Sequence, residues 1–350
     1  MNNEFKDKRI LVTGGTGSIG SAIVKELLKY EPRQIRIYSR DETKQFELAH
    51  RLNAGLKVSF LIGDIRDKER LNMAMENIDI VFHAAALKHV SACEKNPFEA
   101  VKTNVYGTQN IIDCAFANQV DKVIGISTDK ATDPSNVMGC TKLLAEKIML
   151  ASFFYKGDKK TKFCFVRFGN VIGSRGSVIP LFIKQANSGE PITVTNPDMT
   201  RFFMSIPQAV NLVFKAASLM KDGEIFVLKM PVTTIKNLAK AILEIMREKN
   251  PEIKKMPVKI IGKKNGERMH EKLLTLEESE TALETDEMFI ILPNLKFNVD
   301  EYGDLKLNSY LKAKKCSCRE YNSKSQKKMP LSELKEMLLD NGDLDFSLHK

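Results

Sequence analysis

A short apolar run, Arg9-Ile10-Leu11-Val12-Thr13, leads into Gly14-Gly15-Thr16-Gly17-Ser18-Ile19-Gly20, and a helical pattern through Ala22, Ile23, Leu27 and Leu28 leads out. Nothing else in the chain constrains the fold as tightly. Glycines at 14, 17 and 20 allow a tight turn and let the backbone approach a pyrophosphate, which the N-terminus of the next helix then binds. Glycine spacing alone is weak. Flanked by strand and helix it becomes the signature of a dinucleotide site, with a plain βα turn as the competing reading. Thr16, Ser18 and Ile19 belong to the same cradle.

Strands and helices then alternate. Gln34-Ile35-Arg36-Ile37-Tyr38 reads as the second strand and ends in Ser39-Arg40-Asp41-Glu42. At that strand end a carboxylate holds the ribose diol of NAD, whereas an Arg favours a 2′-phosphate. Ser39 and Arg40, with Lys44 one turn into the following helix, point to NADP, and Asp41 keeps NAD open. The third strand runs over 57–62. After it, Asp64, beside Ile65, either accepts from an adenine amino group or caps a helix, a role that Asp67 fills better. The fourth strand, 78–83, ends in Ala84-Ala85-Ala86, small enough for a dinucleotide to lie close, and Lys88 comes next, within reach of a phosphate or sugar hydroxyl. His83 reads as a core histidine. A helix over 97–117 carries Asn104, which either braces the next strand from a buried position or faces solvent.

Val123-Ile124-Gly125-Ile126 reads as a buried strand with Ser127-Thr128-Asp129-Lys130 at its carboxyl end. Pro134 biases its predecessor away from helix, and Ser135 or Asn136 can cap a new one. Leu143, Leu144, Ile148 and Met149 give that helix its pattern, to about residue 155. Met138 and Lys142 fall one turn apart on one face. Ligands of open α/β sheets bind outside the carboxyl ends of strands, so an acid and two amines there look like proton-transfer equipment. A charged surface turn before an amphipathic helix is the bland alternative.

The next strand, 163–168, is closed by Gly169-Asn170-Val171. Ser174-Arg175-Gly176-Ser177-Val178 is a donor-rich loop suited to a phosphate or a uracil edge, or an ordinary polar loop. Alternation then loosens. Arg201 between apolar residues predicts a partly buried, paired guanidinium. Lys264 and Glu267 offer a cation for a pyrophosphate and a carboxylate for a ribose diol.

With 350 residues, 43% of them hydrophobic, the chain suits one large domain or two unequal ones. No apolar run approaches bilayer length and no signal peptide precedes the first strand, so a soluble cytoplasmic protein is expected. The six Cys read as reduced thiols; only Cys316 and Cys318 are close, and without a second pair no metal site is expected. A net charge of +10 raises a nucleic-acid reading. The basic residues are spread, however, and solvated surface, or positive potential for a doubly negative nucleotide-sugar, accounts for them better.

Gly14-x-x-Gly17-x-x-Gly20, Ser127-Thr128-Asp129-Lys130 and Lys142 together resemble the extended short-chain dehydrogenase/reductases. Further stretches carry the resemblance over about residues 5 to 340. They are Ala84-Ala85-Ala86-Leu87-Lys88-His89-Val90, Asn96-Pro97, Lys102-Thr103-Asn104, Arg167-Phe168-Gly169-Asn170-Val171, the 174–178 loop and Gly266-Glu267-Arg268-Met269-His270-Glu271. They narrow it to the UDP-N-acetylglucosamine 4,6-dehydratases, which begin routes to modified sugars of capsules, flagellin and other glycans. The resemblance implies a Rossmann-type doubly wound parallel sheet with a smaller mixed C-terminal substrate-binding domain. Residues 1–173 would bind NADP. Residues 174–305, interleaved with them, would bind UDP-N-acetylglucosamine through Lys88, Asn170, Arg175, Ser177, Val178, Arg201, Lys264 and Glu267. Residues 306–350 would form a tail, mobile or surface-bound over the Lys-rich 312–328, with a short docking helix at 331–339. A homo-oligomer is expected, built on the helices over 97–117 and 137–155, with neither nucleic acid nor membrane as a partner.

In the implied reaction a hydride leaves C4, a base removes the C5 proton, hydroxide leaves C6 with a proton, and the hydride returns to C6. Asp129 maps onto the acid and Lys130 onto the base, kept neutral by Lys142 and the nicotinamide charge. Thr128 would hold the C4 oxygen and Lys142 the nicotinamide ribose. Most of the superfamily has Tyr where this chain has Met138, which carries no proton. A Met-bearing subset of the dehydratases looks like this chain, and there Asp129 or Lys130 would take the C4 proton too. Lys264 departs from a frequent Arg and keeps its charge without the bidentate fork. The tail residues Glu320-Tyr321-Asn322-Ser323 favour inversion at C5. The competing functions are a UDP-sugar 4-epimerase, a silent NADP-binding regulator and a nucleic-acid module.

Overall fold

Six parallel strands form the first half; the central ones are apolar runs buried on both faces, as a sheet covered by helices requires, while the edge strand is only partly buried. They are β1 (Arg9–Thr13), β2 (Gln34–Ser39), β3 (Val58–Ile62), β4 (Ile80–His83), β5 (Lys122–Ile126) and β6 (Lys162–Arg167). The computed structural model describes residues 3–52, 55–249, 256–293, 310, 313–340, 344 and 346. The order β3-β2-β1-β4-β5-β6 is doubly wound and reverses between β1 and β4. At that switch point Gly14 N–H donates to Tyr38 O at 2.8 Å and Ala84 N–H to Thr13 O at 3.1 Å, so the glycine loop and the alanine run border one crevice.

The same sheet continues past β6. Glu224–Leu228 joins in parallel, and Met288–Ile291, Ala282–Glu284 and Lys314–Lys315 extend it antiparallel, giving ten strands. Residues beyond 174 thus complete the first layer as well as forming small sheets of their own. One of these joins Asn170–Val171, Thr200–Met204 and Val232–Thr234. A second hydrophobic core, including Phe182, Leu238, Ile242, Met246, Leu334 and Leu338, lies under this part. Helix Leu331–Leu339 docks there, against helix Ile235–Lys249.

Two expectations change. The helix expected over 97–117 is broken into Pro97–Ala100, a wider π-type segment Val101–Tyr106, and Gly107–Ala117. Asn104 sits in the wide segment, 1% exposed. It braces the loop after β4 rather than the next strand, accepting from Leu87 N–H at 2.8 Å and donating to Leu87 O and Thr141 Oγ1, each at 3.0 Å. The described part of the Lys-rich tail, 313–328, is built into the protein. Lys314–Lys315 edges the large sheet, and Tyr321 is buried between the rings of Phe202 and Phe289 at 5.0 and 5.1 Å. One aromatic anchor outweighs the surrounding charge, because burying an aromatic ring stabilises by more than surface lysines gain from water. Residue 312 and the 305/306 boundary lie outside the described residues. Among the described residues no helix is long and apolar enough to cross a membrane.

Candidate active site

The turn after β5 is held from the neighbouring strand. Ser127 N–H donates to Val166 O at 2.8 Å and Asp129 N–H to Phe168 O at 3.0 Å. Behind it lies a buried charge cluster. Arg167 bridges Glu146 at 2.7 Å and Glu278 at 3.0 Å, and Ser127 Oγ donates to Glu146. Removing one member of such a cluster leaves a buried charge unpaired, so the platform under the turn is fixed. In front, Asn136 caps helix Val137–Ala151, its side chain accepting from Gly139 N–H at 2.8 Å.

On this platform Asp129 is fully buried, and Lys130 Nζ donates to its Oδ1 at 2.8 Å. Thr128 Oγ1 donates to the same oxygen at 2.9 Å. Burial and Arg201 act to lower the Lys130 pKa, but the carboxylates of Asp129 and Glu271 outweigh them, and it is raised above its ordinary value. In the protein alone the two carboxylates thus favour the ammonium form, whereas the expected neutral amine relied on Lys142 and the nicotinamide charge. Lys142 behaves differently. Burial lowers it to about 8 against the pull of Glu146, and its Nζ donates to Ile126 O at 2.7 Å. Met138 is buried with Cys93 and Ala100 in a small apolar cluster and contributes no proton. His83 is 2% exposed between Thr13 Oγ1 at 2.9 Å and Thr108 Oγ1 at 3.3 Å; burial, then Lys142, lowers its pKa to about 3. It is the neutral core histidine the sequence indicates.

The glycine loop fits a dinucleotide by close approach. Gly14 has φ +65°, and a Cβ there would meet Ala85 N at 2.7 Å and the Ala84 carbonyl at 2.8 Å. Gly17 N-caps helix Ser18–Leu27, which opens with Ser18, Ile19 and Gly20, and Thr16 is buried beside it. At the end of β2, Ser39 is buried under Gln45, whose amide donates to Ser39 Oγ at 3.0 Å. Arg40 lies 3.5 Å from Asp64, and Lys44 pairs with Asp41. Asp64 is further engaged by Arg66 at 2.7 Å, while Asp67 caps the next helix as expected. Ile65 is buried against Gly107. Ala84 and Ala86 stand in the loop after β4.

A cleft of about 650 Å³ opens beside the turn. It brings together Lys130, Asn170, Ser177, Val178, Arg201, Lys264 and Glu267. Ser177 N-caps helix Val178–Asn187, whose N-terminus suits an anionic ligand. Two residues expected in the cleft are drawn to its edge. Arg175 donates through Nη2 to Thr16 O and through its backbone to Ser18 Oγ at 3.1 Å, so it joins the glycine loop; Lys88 donates to Arg175 O at 2.8 Å. Arg201 lines the cleft but spends its donors on Thr200 O at 2.8 Å, Arg268 O at 2.9 Å and Met269 O at 3.3 Å. It is the paired, buried guanidinium that its apolar flanks indicate. Glu271 carries no sequence signal of its own, although it ends the Gly266–Glu271 stretch. Its burial depends on Arg201 and Ser323, residues too distant in sequence to reveal it.

A family model described as polysaccharide biosynthesis protein matches residues 10–293. An uncharacterized membrane protein of Methanocaldococcus jannaschii is 50% identical over 341 residues, covering 97% of each chain. The inverting UDP-N-acetylglucosamine 4,6-dehydratase of Campylobacter jejuni serotype O:2 is 44% identical over 307 residues, 87% of this chain and 88% of that one. A UDP-glucose 4-epimerase of Rickettsia rickettsii is 41% identical over 343 residues, 96% of each. Among solved structures, Pen from Bacillus thuringiensis superposes with a TM-score of 0.91 at 42% identity, covering 98% of this chain and 100% of that one. With its doubly wound sheet, its glycine cradle and these matches across nearly its whole length, the chain belongs to the polysaccharide biosynthesis protein family.

Proposed function

We propose that the chain is a 4,6-dehydratase of UDP-N-acetylglucosamine that uses NADP. The observation that carries this reading is the Asp129–Lys130 pair at the strand end, 2.8 Å apart, with one carboxylate oxygen committed and the other free of any partner among the described residues. Elimination of water needs a base at C5 and an acid at C6. The loop at Gly14–Gly20 with Ser39, Arg40 and Lys44 would hold the cofactor, which would supply a hydride acceptor for C4 and a hydride donor for C6. In this reading the C4 hydroxyl proton passes by way of Thr128 to the Asp129 carboxylate, replacing the absent Tyr. Neutralising Asp129 removes the stronger of the two carboxylate charges that raise Lys130, and the ammonium then releases its proton to water. The amine then takes the C5 proton while Asp129 gives its proton to the departing C6 hydroxide, which restores ammonium and carboxylate; the return of hydride to C6 would be completed by a proton from solvent at C5, which balances the one released to water. Asn170, Ser177, Val178, Lys264 and Glu267 would bind the nucleotide-sugar, with Lys88 and Arg175 at the edge between it and the cofactor. Self-association through 97–117 and 137–155 belongs to the same reading, and Phe98, Tyr106 and Leu144 are exposed there.

Following UDP-N-acetylglucosamine by NMR in deuterated water tests it. A new C6 methyl signal with deuterium at C5 is the expected result. A C4 epimer with C6 intact would refute it and support the second reading, a 4-epimerase, which the epimerase-named relatives favour. Epimerisation needs no acid at C6, which leaves the buried Asp129 without a task.

A further inference from the structure

Glu271 is 3% exposed, a rare place for a carboxylate without full pairing. Its Oε1 lies 3.5 Å from Arg201 Nε, and among the described residues its Oε2 has no hydrogen-bond partner. Most of the Arg201 fork is spent on backbone carbonyls, so it neutralises Glu271 along one edge only. Strand Lys272–Leu274, which begins at the next residue, packs on the Asp129–Ala131 turn and brings Glu271 up behind Lys130. The groups acting on Lys130 are Asp129 from its own turn, Glu271 from this strand's approach and Arg201 from the opposite strand. Burial raises the Glu271 pKa above its ordinary value; Lys130 acts most strongly against that rise, Asp129 adds to it, and Arg201 and Arg268 oppose it.

The backbone carrying this carboxylate is clamped. Glu271 N–H donates to Ser323 Oγ at 2.9 Å, Ser323 N–H donates back to Glu271 O at 2.8 Å, and Ser323 Oγ meets Thr200 Oγ1 at 2.7 Å. Ser323 is fully buried and comes from the tail. Lys130, on the turn against which this strand packs, is the cation that most offsets the burial of this carboxylate.

We propose that Glu271 is a positioning residue for the Lys130 proton: clamped by Ser323 and half-neutralised by Arg201, its buried carboxylate holds Lys130 as an ammonium. With two carboxylates facing one amine, the proton stays until Asp129 is neutralised, which orders the steps of the proposed dehydration. The second statement rests on the functional reading above; the first does not.

Trace acylation of the whole protein with a labelled anhydride across pH, read at Lys130 by peptide mass spectrometry, needs no substrate. In Glu271→Gln the Lys130 midpoint should fall by about one pH unit relative to wild type, with exposed Lys147 unchanged as the internal control. Ser323→Ala, which unclamps the carboxylate without removing it, should move the midpoint the same way by less. Glu271→Asp, which keeps the charge, should restore most of the wild-type value. An unmoved Lys130 midpoint in whichever of these variants keeps the wild-type circular dichroism overturns the proposal, even if turnover is lost. A shifted midpoint in a protein that fails to dehydrate UDP-N-acetylglucosamine sinks the functional reading and leaves this one standing.

Discussion

His83 and Lys130 stand at and just beyond the ends of adjacent strands, β4 and β5, and their surroundings drive them in opposite directions. Burial, then a nearby cation, favours the neutral form of His83, whereas the carboxylates around Lys130 outweigh burial and favour its charged form. For His83 the folded pKa of about 3 lies below its ordinary value of 6.5. The unfolded chain therefore takes up a proton that the folded one refuses, and stability present above pH 6.5 is lost as pH falls toward 3. The slope is about 1.4 kcal/mol per pH unit in that window. Thermal melts against pH should show it, and His83→Gln, which keeps partners for Thr13 and Thr108, should flatten it. At the proposed catalytic pair, Lys130→Ala and Asp129→Asn are each expected to lower turnover by about 10²- to 10⁴-fold with the fold retained. Stopped NMR time courses measure the first, and circular dichroism the second. Full activity in either variant would remove the proton-transfer role assigned to it.

Helix Val137–Ala151 shows how one element sets the site. Gly139 lies in its first turn with Lys130 O directly against the space a Cβ would take, inside van der Waals contact. Gly139→Ala should push the Asp129–Ala131 turn off its platform. The expected outcome is a loss of turnover of at least about tenfold and a stability cost of about 1–3 kcal/mol, read from denaturant midpoints, at unchanged helix content. The central parallel strands were legible because burial on both faces leaves an apolar run, and the residues at their ends follow from topology. Thr128, Asp129, Lys130 and Lys142 are brought together for that reason. The break at Val101–Tyr106 was hidden, since its cause is Asn104 reaching Leu87 across the fold, and helical periodicity carries no trace of such a bond. Arg175 was misplaced for a related reason: a loop rich in donors announces an anion, but which of two neighbouring ligand sites it serves depends on the Thr16 carbonyl, 159 positions away.

Across the molecule, the tail is built into the second half of the chain. Tyr321 hydroxyl accepts from Met230 N–H at 2.9 Å and donates to Met230 O at 3.0 Å, while its ring fills the gap between Phe202 and Phe289. Tyr321→Ala should cost about 3–5 kcal/mol, measured by chemical unfolding. Activity should fall with it, because the adjacent Ser323 holds Glu271. A charged stretch with one buried ring has no periodicity to betray it, which is why the segment reads as loose surface in the sequence. Strand Lys314–Lys315 closes one edge of a ten-stranded sheet whose other edge is β3, far earlier in the chain. A chain emerging from the ribosome thus exposes its glycine cradle early but lacks Ser323 and Tyr321 until much later in its synthesis. A product terminated in between carries the glycine loop but neither the Ser323 clamp on Glu271 nor the Tyr321 anchor.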